Sequence, residues 1–145
     1  MTSFVGRERE LVEIKRLLPS KRLVTIVGVG GIGKTRLALQ VAAEVIDAYR
    51  DGVWLAELGS IRDPSLVPTT VAQALGVPER SGTPPIESLR AHLKSRQIMI
   101  VLDNCEHLQD ACAQLADARD RRRCDSRKQC SSSSSGCSGS CRTLS

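Results

Sequence analysis

The sequence predicts an α/β fold in which helices flank a parallel β-sheet. Two apolar runs without alternation, residues 23–27 and 98–102, are typical of strands that are buried on both faces. Helical patterns and a further strand at 53–58 lie between them, joined by short connections. Strand, helix and strand in this succession form right-handed crossovers, which give a parallel sheet. A chain of 145 residues with 41% hydrophobic residues can form one such domain with a buried core.

A glycine-rich motif of eight residues follows the first strand. Residues 28–35 read GVGGIGKT and match the pattern G-x-x-x-x-G-K-[ST] at every fixed position. The motif lies between the apolar strand and a helix predicted from Lys34 to about Tyr49, which is the context that a phosphate-binding loop requires. The alternative is an ordinary glycine-rich turn. The complete pattern with both flanks favours the phosphate-binding loop and places the fold in the P-loop NTPase type.

The residue types of the motif explain how a polyphosphate would be held. Glycines leave the main chain bare, so that its N–H groups can wrap the phosphates, and the following helix points the positive end of its dipole at them. Lys34 adds a full charge near the β- and γ-phosphates, and the hydroxyl of Thr35 is placed to coordinate Mg²⁺. The predicted nucleotide-binding residues of this segment are Gly28, Val29, Gly30, Gly31, Ile32, Gly33, Lys34, Thr35 and Arg36.

An acidic residue ends the second buried strand. Asp103 follows Ile98–Leu102 and lies at the sheet edge where the phosphate loop also begins, and its oxygens are the ligands that Mg²⁺ prefers. We therefore predict Thr35 and Asp103 as Mg²⁺ ligands. The alternative for Asp103 is a cap of the next helix, predicted from Glu106 to about Asp117, and the two roles are compatible.

Hydrolysis of a nucleotide also needs a carboxylate that polarises the attacking water. Asn104, directly after Asp103, cannot accept a proton, and Glu106 is the nearest acid. Glu106 is therefore the candidate catalytic residue, with His107 beside it. Solvent-facing positions on the helix are the alternative for both side chains.

Three further helices are predicted. Apolar residues recur at helical spacing over residues 7–18, and a helix from about 86 to 95 follows a proline-containing loop at 78–85. Between these, Asp63 and Pro64 are typical of a helix start, and that helix runs to Leu75 and ends at Gly76.

The last 27 residues differ from the rest in charge and composition. Residues 119–145 contain 7 Lys and Arg against 2 Asp, which accounts for the whole net charge of +5, and they are rich in Ser and Cys. We predict a partial nucleotide-binding domain at 1–118 and a basic, disordered tail at 119–145. The alternatives for the tail are nonspecific nucleic-acid binding through residues 119–123 and a zinc site, which the cysteine spacing disfavours.

Composition excludes several other classes of protein. Aromatic residues make up 2% of the chain, so stacking of bases on exposed rings is excluded as a binding mode. The sequence has no apolar leader and no apolar stretch long enough to cross a membrane, so we expect a cytoplasmic protein without a membrane partner. Cys105 and Cys112 are predicted as small apolar residues on or near the last helix.

Four segments in order resemble a known family. They are FVGRERE at 4–10, LVTIVGVGGIGKTRLA at 23–38, DGVWLAEL at 51–58 and IMIVLDNCEHL at 98–108. Together they resemble the NB-ARC/STAND class of signalling ATPases and, more closely, the nucleotide-binding domain of large bacterial LuxR-type and AfsR-type transcription regulators. The resemblance covers residue 2 to about residue 117.

The resemblance implies a P-loop domain that binds ATP or ADP with Mg²⁺ and acts as a nucleotide-dependent switch. It implies at most a slow ATPase, and Asn104 is similar to what this subgroup carries after the acidic residue. It also implies that the segment before the first strand reaches over the adenine, which would assign Val5, Gly6 and Arg7 to base recognition. DNA contacts would belong to domains absent from this chain, and oligomerisation to the full-length parent.

The chain departs from the family pattern after about residue 118. The family continues with an apolar strand, which lies between the phosphate-loop strand and the strand ending at Asp103, and with an arginine that senses the γ-phosphate. Residues 119–145 have almost no apolar side chains, so we expect no buried strand there and an incomplete sheet. A frame-shifted reading of this region is one hypothesis, and a non-functional remnant of a regulator is the alternative to a working nucleotide-binding module.

Overall fold

The structure is a computed structural model that describes residues 7–21, 23–29, 31, 33–117 and 141–144. In these ranges the helices are α1 (Glu8–Leu17), α2 (Lys34–Val45), α3 (Val67–Ala74), α4 (Pro85–Leu93) and α5 (Gln109–Asp117). The strands are β1 (Leu23–Val24), β2 (Val53–Glu57), β3 (Ile98–Asp103) and β4 (Cys141–Leu144). Short 3-10 turns at Ile46–Ala48, Pro64–Leu66 and Glu106–Leu108 extend α2 and lead into α3 and α5. None of the helices in these ranges is long and apolar enough to cross a membrane.

The four strands form one parallel sheet in the order β1-β4-β3-β2. β3 lies between β4 and β2 and is buried along its first five residues. Its side chains alternate between two cores, with Ile98, Ile100 and Leu102 in one and Met99 and Val101 in the other. The prediction of an α/β fold with a parallel sheet flanked by helices is confirmed.

Helices cover both faces of the sheet and account for the two cores. Residues of α3, α4 and α5 form one core with the even-numbered side chains of β3, and residues of α1 and α2 form the other with Met99 and Val101. Fully burying an aliphatic side chain of this size contributes roughly 1.5–3 kcal/mol. The continuous apolar run that marked β3 in the sequence is therefore the result of burial on both sides.

A strand after residue 118 corrects the sequence analysis. β4 pairs Thr143 with Leu23 on one side and Cys141 with Ile98 on the other. It therefore lies between β1 and β3, where no strand was expected. The expectation of an incomplete sheet is therefore wrong, and β4 belongs to the same sheet as the strands before the predicted boundary. The physical reason is that main-chain N–H and C=O groups form the ladder, so a short strand needs no long apolar run. The predicted disorder of residues 119–140 lies outside the described residues.

The first strand is shorter than its apolar run predicts. β1 covers Leu23 and Val24, and residues 25–27 are not assigned to the strand. Leu144 of β4 pairs with Val24, the last residue of β1. Val27 is 82% exposed, which corrects its expected burial.

The remaining helix predictions are confirmed with small changes of boundary. The side chain of Asp63 accepts a hydrogen bond from the N–H of Ser65 at 2.9 Å, and Pro64 opens the first turn, which is 3-10 before α3 begins. Gly76, with φ at 67°, follows the end of α3 in a conformation that favours glycine.

Cys105 and Cys112 are buried, and a hydrogen bond with Cys105, together with burial, raises the pKa of the Cys112 thiol. Both cysteines therefore behave as small apolar residues, as predicted.

Candidate nucleotide-binding site

The glycine-rich loop connects β1 to the first turn of α2, at the carboxyl edge of the sheet. Gly31 and Gly33 have φ angles of 82° and 80°, in the left-handed region where a Cβ is disfavoured. Gly33 is also the N-cap of α2, and as a glycine it has no side chain that could occupy the N–H groups of the first turn. These donors and the helix dipole form an anion-binding element. Gly30 and Ile32 lie outside the described residues.

Lys34 is the first residue of α2, and its side chain turns back across the loop. Its Nζ donates a hydrogen bond to the carbonyl oxygen of Gly28 at 2.7 Å and lies 3.2 Å from Oε1 of Glu106. The side chain is 18% exposed. The ammonium group is thus held between the start of the loop and the turn that follows β3.

Thr35 and Asp103 bring the two sequence motifs together. The hydroxyl of Thr35 donates a hydrogen bond to Oδ1 of Asp103 at 2.7 Å, and the same oxygen accepts the N–H of Asn104 at 3.0 Å. A hydroxyl and a carboxylate side by side are hard oxygen donors of the kind that Mg²⁺ requires, so this pair fits the metal. The hydrogen bond from the N–H of Asn104 holds the Asp103 carboxylate at the sheet edge. Asp103 does not cap the following turn, because Cys105 is the N-cap residue of that turn.

Glu106 lies in the 3-10 turn between β3 and α5, three residues after Asp103. A hydrogen bond from its own main-chain N–H, and next the hydrogen bond from Lys34, hold the pKa of its carboxyl below the ordinary value of 4.5. The group is therefore charged at neutral pH and is a weaker proton acceptor than an ordinary glutamate. Gly28, Lys34, Thr35, Asp103 and Glu106 all line one cleft, so the structure brings these predicted site residues together.

Arg7 lies close to the phosphate loop. A Cβ built on Gly33 would lie 4.0 Å from Nη1 of Arg7, and Nε of Arg7 is 3.6 Å from Oε2 of Glu10. The other two residues assigned to base recognition, Val5 and Gly6, lie outside the described residues. Arg36 is exposed on the first turn of α2.

The loop after β2 contacts the loop after β3, which the sequence analysis missed. Glu57 is the register partner of Asp103, and its Oε1 accepts a long hydrogen bond of 3.4 Å from Nδ2 of Asn104. Asn104 has φ at 53°, and a Cβ on Gly59 would lie 3.1 Å from its Cβ, so the two loops pack tightly. Nε2 of His107 lies 2.6 Å from the carbonyl oxygen of Ile61. Glu57 could have been predicted by the same pattern that identified Asp103, because each is an acidic residue at the carboxyl end of a strand.

Comparison with known proteins agrees with this architecture. A family model described as an AAA domain matches residues 18–144. The Aeropyrum pernix ORC2 protein, solved as ADPNP–ADP complexes, has a TM-score of 0.60 and 15% sequence identity, over 99% of this chain and 41% of that chain. At this identity the likeness concerns the fold.

Curated relatives include proteins of Mycobacterium and Streptomyces. An uncharacterized Mycobacterium tuberculosis protein is 42% identical over 118 residues, which are 81% of this chain and 30% of the relative. A candidate HTH-type transcriptional regulator of the same species is 45% identical over 102 residues, 70% of this chain and 11% of the relative. The regulatory protein AfsR of Streptomyces coelicolor is 29% identical over 148 residues, 83% of this chain and 15% of the relative. The chain thus spans less than a third of the length of these relatives.

The family match also bears on residues after 118, since it ends at the last residue of β4. Because it spans residues 18–144 and so includes all four strands of the described sheet, the chain belongs to the AAA-domain family and is an AAA-type P-loop nucleotide-binding domain.

Proposed function

We propose that this domain binds an adenine nucleotide together with Mg²⁺ and acts as a nucleotide-dependent switch of the STAND type, within a signalling or transcription regulator. The single observation that carries the proposal is the hydrogen bond between Thr35 and Asp103, in a cleft that Lys34 also lines. A loop with N–H donors, a cation and a pair of hard oxygen ligands meet at one sheet edge. This is the set of groups that a Mg²⁺-bound polyphosphate needs.

Each group has a separate task in the proposed site. The loop amides and Lys34 bind the phosphates, and Thr35 and Asp103 hold Mg²⁺, which neutralises phosphate charge. Arg7 is positioned beside the loop by α1 and, with Val5 and Gly6, contacts the nucleoside. Arg36, on the outside of the first helical turn, adds positive charge near the phosphates.

The residues that follow β3 support slow hydrolysis of the nucleotide. Asn104 holds the position after the metal ligand and cannot accept a proton. Glu106, the candidate catalytic residue, is engaged with Lys34, and the lowered pKa of its carboxyl makes it a weak base. A site that binds a nucleotide well and hydrolyses it slowly is suited to switching, in which the bound nucleotide stabilises one conformation.

The relatives support the choice of a regulator. The names of two of them refer to regulation, and the ORC2 protein was solved in complexes with ADPNP and ADP. In this proposal the protein is cytoplasmic, and DNA binding and oligomerisation belong to other parts of a longer regulator. The non-functional remnant is not favoured, because β4 completes the sheet whose gap motivated it.

A binding titration tests the proposal. A fluorescent ATP analogue is titrated into the protein with and without Mg²⁺, for the wild type, Lys34→Ala and the control Lys94→Ala. Lys94 is an exposed residue at the end of α4, on the far side of the sheet from α2, so the control removes the same charge elsewhere. We expect saturable binding that Lys34→Ala abolishes and Lys94→Ala retains. Absence of binding in the wild type at millimolar concentrations would refute the proposal.

A further inference from the structure

The Lys34 ammonium has a negatively charged partner from within the chain. Among the described residues, its Nζ contacts the Gly28 carbonyl oxygen at 2.7 Å, which is uncharged, and the Glu106 carboxylate at 3.2 Å, which carries a full charge. We propose that Glu106 is an affinity-setting residue: its carboxylate is an internal anion that competes with the β- and γ-phosphates of the nucleotide for Lys34. The inference deepens the proposed function and rests on it.

The positions of the two side chains suit such a competition. Glu106 follows the metal ligand Asp103 by three residues, and both line the same cleft as the phosphate loop. A phosphate oxygen that reaches Lys34 comes close to the Glu106 carboxylate, and two like charges at one cation repel each other. The nucleotide therefore binds best when the carboxylate leaves the ammonium group.

Exposure of the two side chains decides which of them moves. The Glu106 side chain is 60% exposed, whereas the Lys34 side chain is 18% exposed and is also hydrogen-bonded to Gly28. Glu106 can therefore turn into solvent while Lys34 stays at the loop. Exposed ion pairs are weak, so the competition changes the affinity by a few-fold and not by orders of magnitude.

This role differs from that of a general base in what it predicts. Replacing a general base leaves nucleotide affinity unchanged and removes hydrolysis. Replacing a competing anion raises the affinity, and it does so for nucleotides whose phosphates reach Lys34. Adenosine monophosphate, which has no β- or γ-phosphate, is the matched ligand that lacks the competing groups.

The test compares Glu106→Gln with the wild type by calorimetric titration of AMP, ADP and ATP at low salt, without Mg²⁺. Glutamine keeps the shape of the side chain and removes its charge. We expect ADP and ATP to bind about two- to fivefold more tightly to the variant, the range of a weak ion pair, with AMP unchanged. The control is Glu57→Gln, which removes one charge from the same sheet edge at the residue paired with Asp103.

The outcomes separate the two proposals. A gain for ADP and ATP in Glu106→Gln alone supports competition at Lys34. An unchanged or lower affinity, an equal gain for AMP, or the same gain in Glu57→Gln overturns it, since each of these removes the link to Lys34. If the wild type and both variants bind no nucleotide, either without Mg²⁺ or after Mg²⁺ is added, the proposed function itself fails and the inference fails with it.

Discussion

The Thr35 hydroxyl and the Asp103 carboxylate share a hydrogen bond of 2.7 Å, although 68 residues separate them in the sequence. Thr35 is the second residue of α2, and Asp103 is the last residue of β3. The bond therefore links the phosphate loop to a strand that does not neighbour β1 in the sheet, since β4 lies between them. A parallel sheet brings the carboxyl ends of its strands to one edge, and that is why residues so far apart meet there.

Removing the charge of Asp103 tests the predicted Mg²⁺ site. Asp103→Asn keeps an oxygen that can accept the hydrogen bond from Thr35, but it replaces a carboxylate with a neutral amide. We expect the gain in nucleotide affinity on adding Mg²⁺ to fall by roughly 10- to 100-fold, the cost of weakening a metal's coordination sphere. Binding measured in a metal chelator should be nearly unchanged. An intact Mg²⁺ effect in the variant would show that Asp103 does not hold the ion.

The left-handed conformation of Gly33 predicts a specific effect of adding a methyl group. Gly33→Ala places a Cβ at φ of 80°, which costs roughly 1–2 kcal/mol unless the loop changes shape. We expect nucleotide affinity to fall as the loop rearranges. Gly76→Ala is the control, since Gly76 also has positive φ, at 67°, and follows α3 away from the site. Both variants should lose stability in denaturant titrations, but loss of nucleotide binding should be confined to Gly33→Ala.

Helices α1 and α2 are joined by an ion pair that makes stability depend on pH. Nζ of Lys15 lies 2.8 Å from Oε2 of Glu44, and hydrogen bonds from Lys15 and then Gln40 hold the pKa of Glu44 below its ordinary value of 4.5. A depressed pKa in the folded state stabilises the fold above the unfolded value, and this stabilisation is lost as pH falls through the folded value. Glu44→Gln should therefore lower the urea midpoint at pH 7 more than at about pH 3.

The control for this prediction is Glu13→Gln, which makes the same change of charge on the exposed side of α1. The shift of its urea midpoint at each pH is the reference for the loss of one glutamate charge. If Glu44→Gln shifts the midpoint equally at both pH values, the ion pair does not contribute to stability. High salt should also reduce the difference at pH 7, because the pair is partly exposed and is screened.

Some contacts could be predicted from the sequence because they follow from local patterns. Asp103 ends an apolar strand, Lys34 and Thr35 end a complete glycine motif, and parallel topology brings both to one edge. The packing of β3 on both faces likewise followed from its unbroken apolar run. In these cases residue type and position along an element determine the outcome.

Other contacts could not be predicted because they depend on how loops approach one another. The pair of Lys34 with Glu106 and the contact of Asn104 with Glu57 are set by the shape of the turns after β3 and β2, for which no periodic pattern exists. β4 was missed for a different reason. Its pairing depends on main-chain groups, whereas the expectation of an incomplete sheet rested on the small number of apolar side chains in residues 119–145.

The central position of β4 predicts that a change in its main chain affects the whole sheet. Thr143 pairs with Leu23 and Ile100, on the two strands that β4 separates. Thr143→Pro removes an N–H donor from a strand with neighbours on both sides, and leaving a buried partner unsatisfied costs about 1–3 kcal/mol. Thr143→Val keeps the donor and a β-branched side chain, so it should retain the wild-type melting temperature, whereas the proline variant should melt earlier and bind a hydrophobic dye. Equal stability of the two variants would mean that β4 does not complete the sheet.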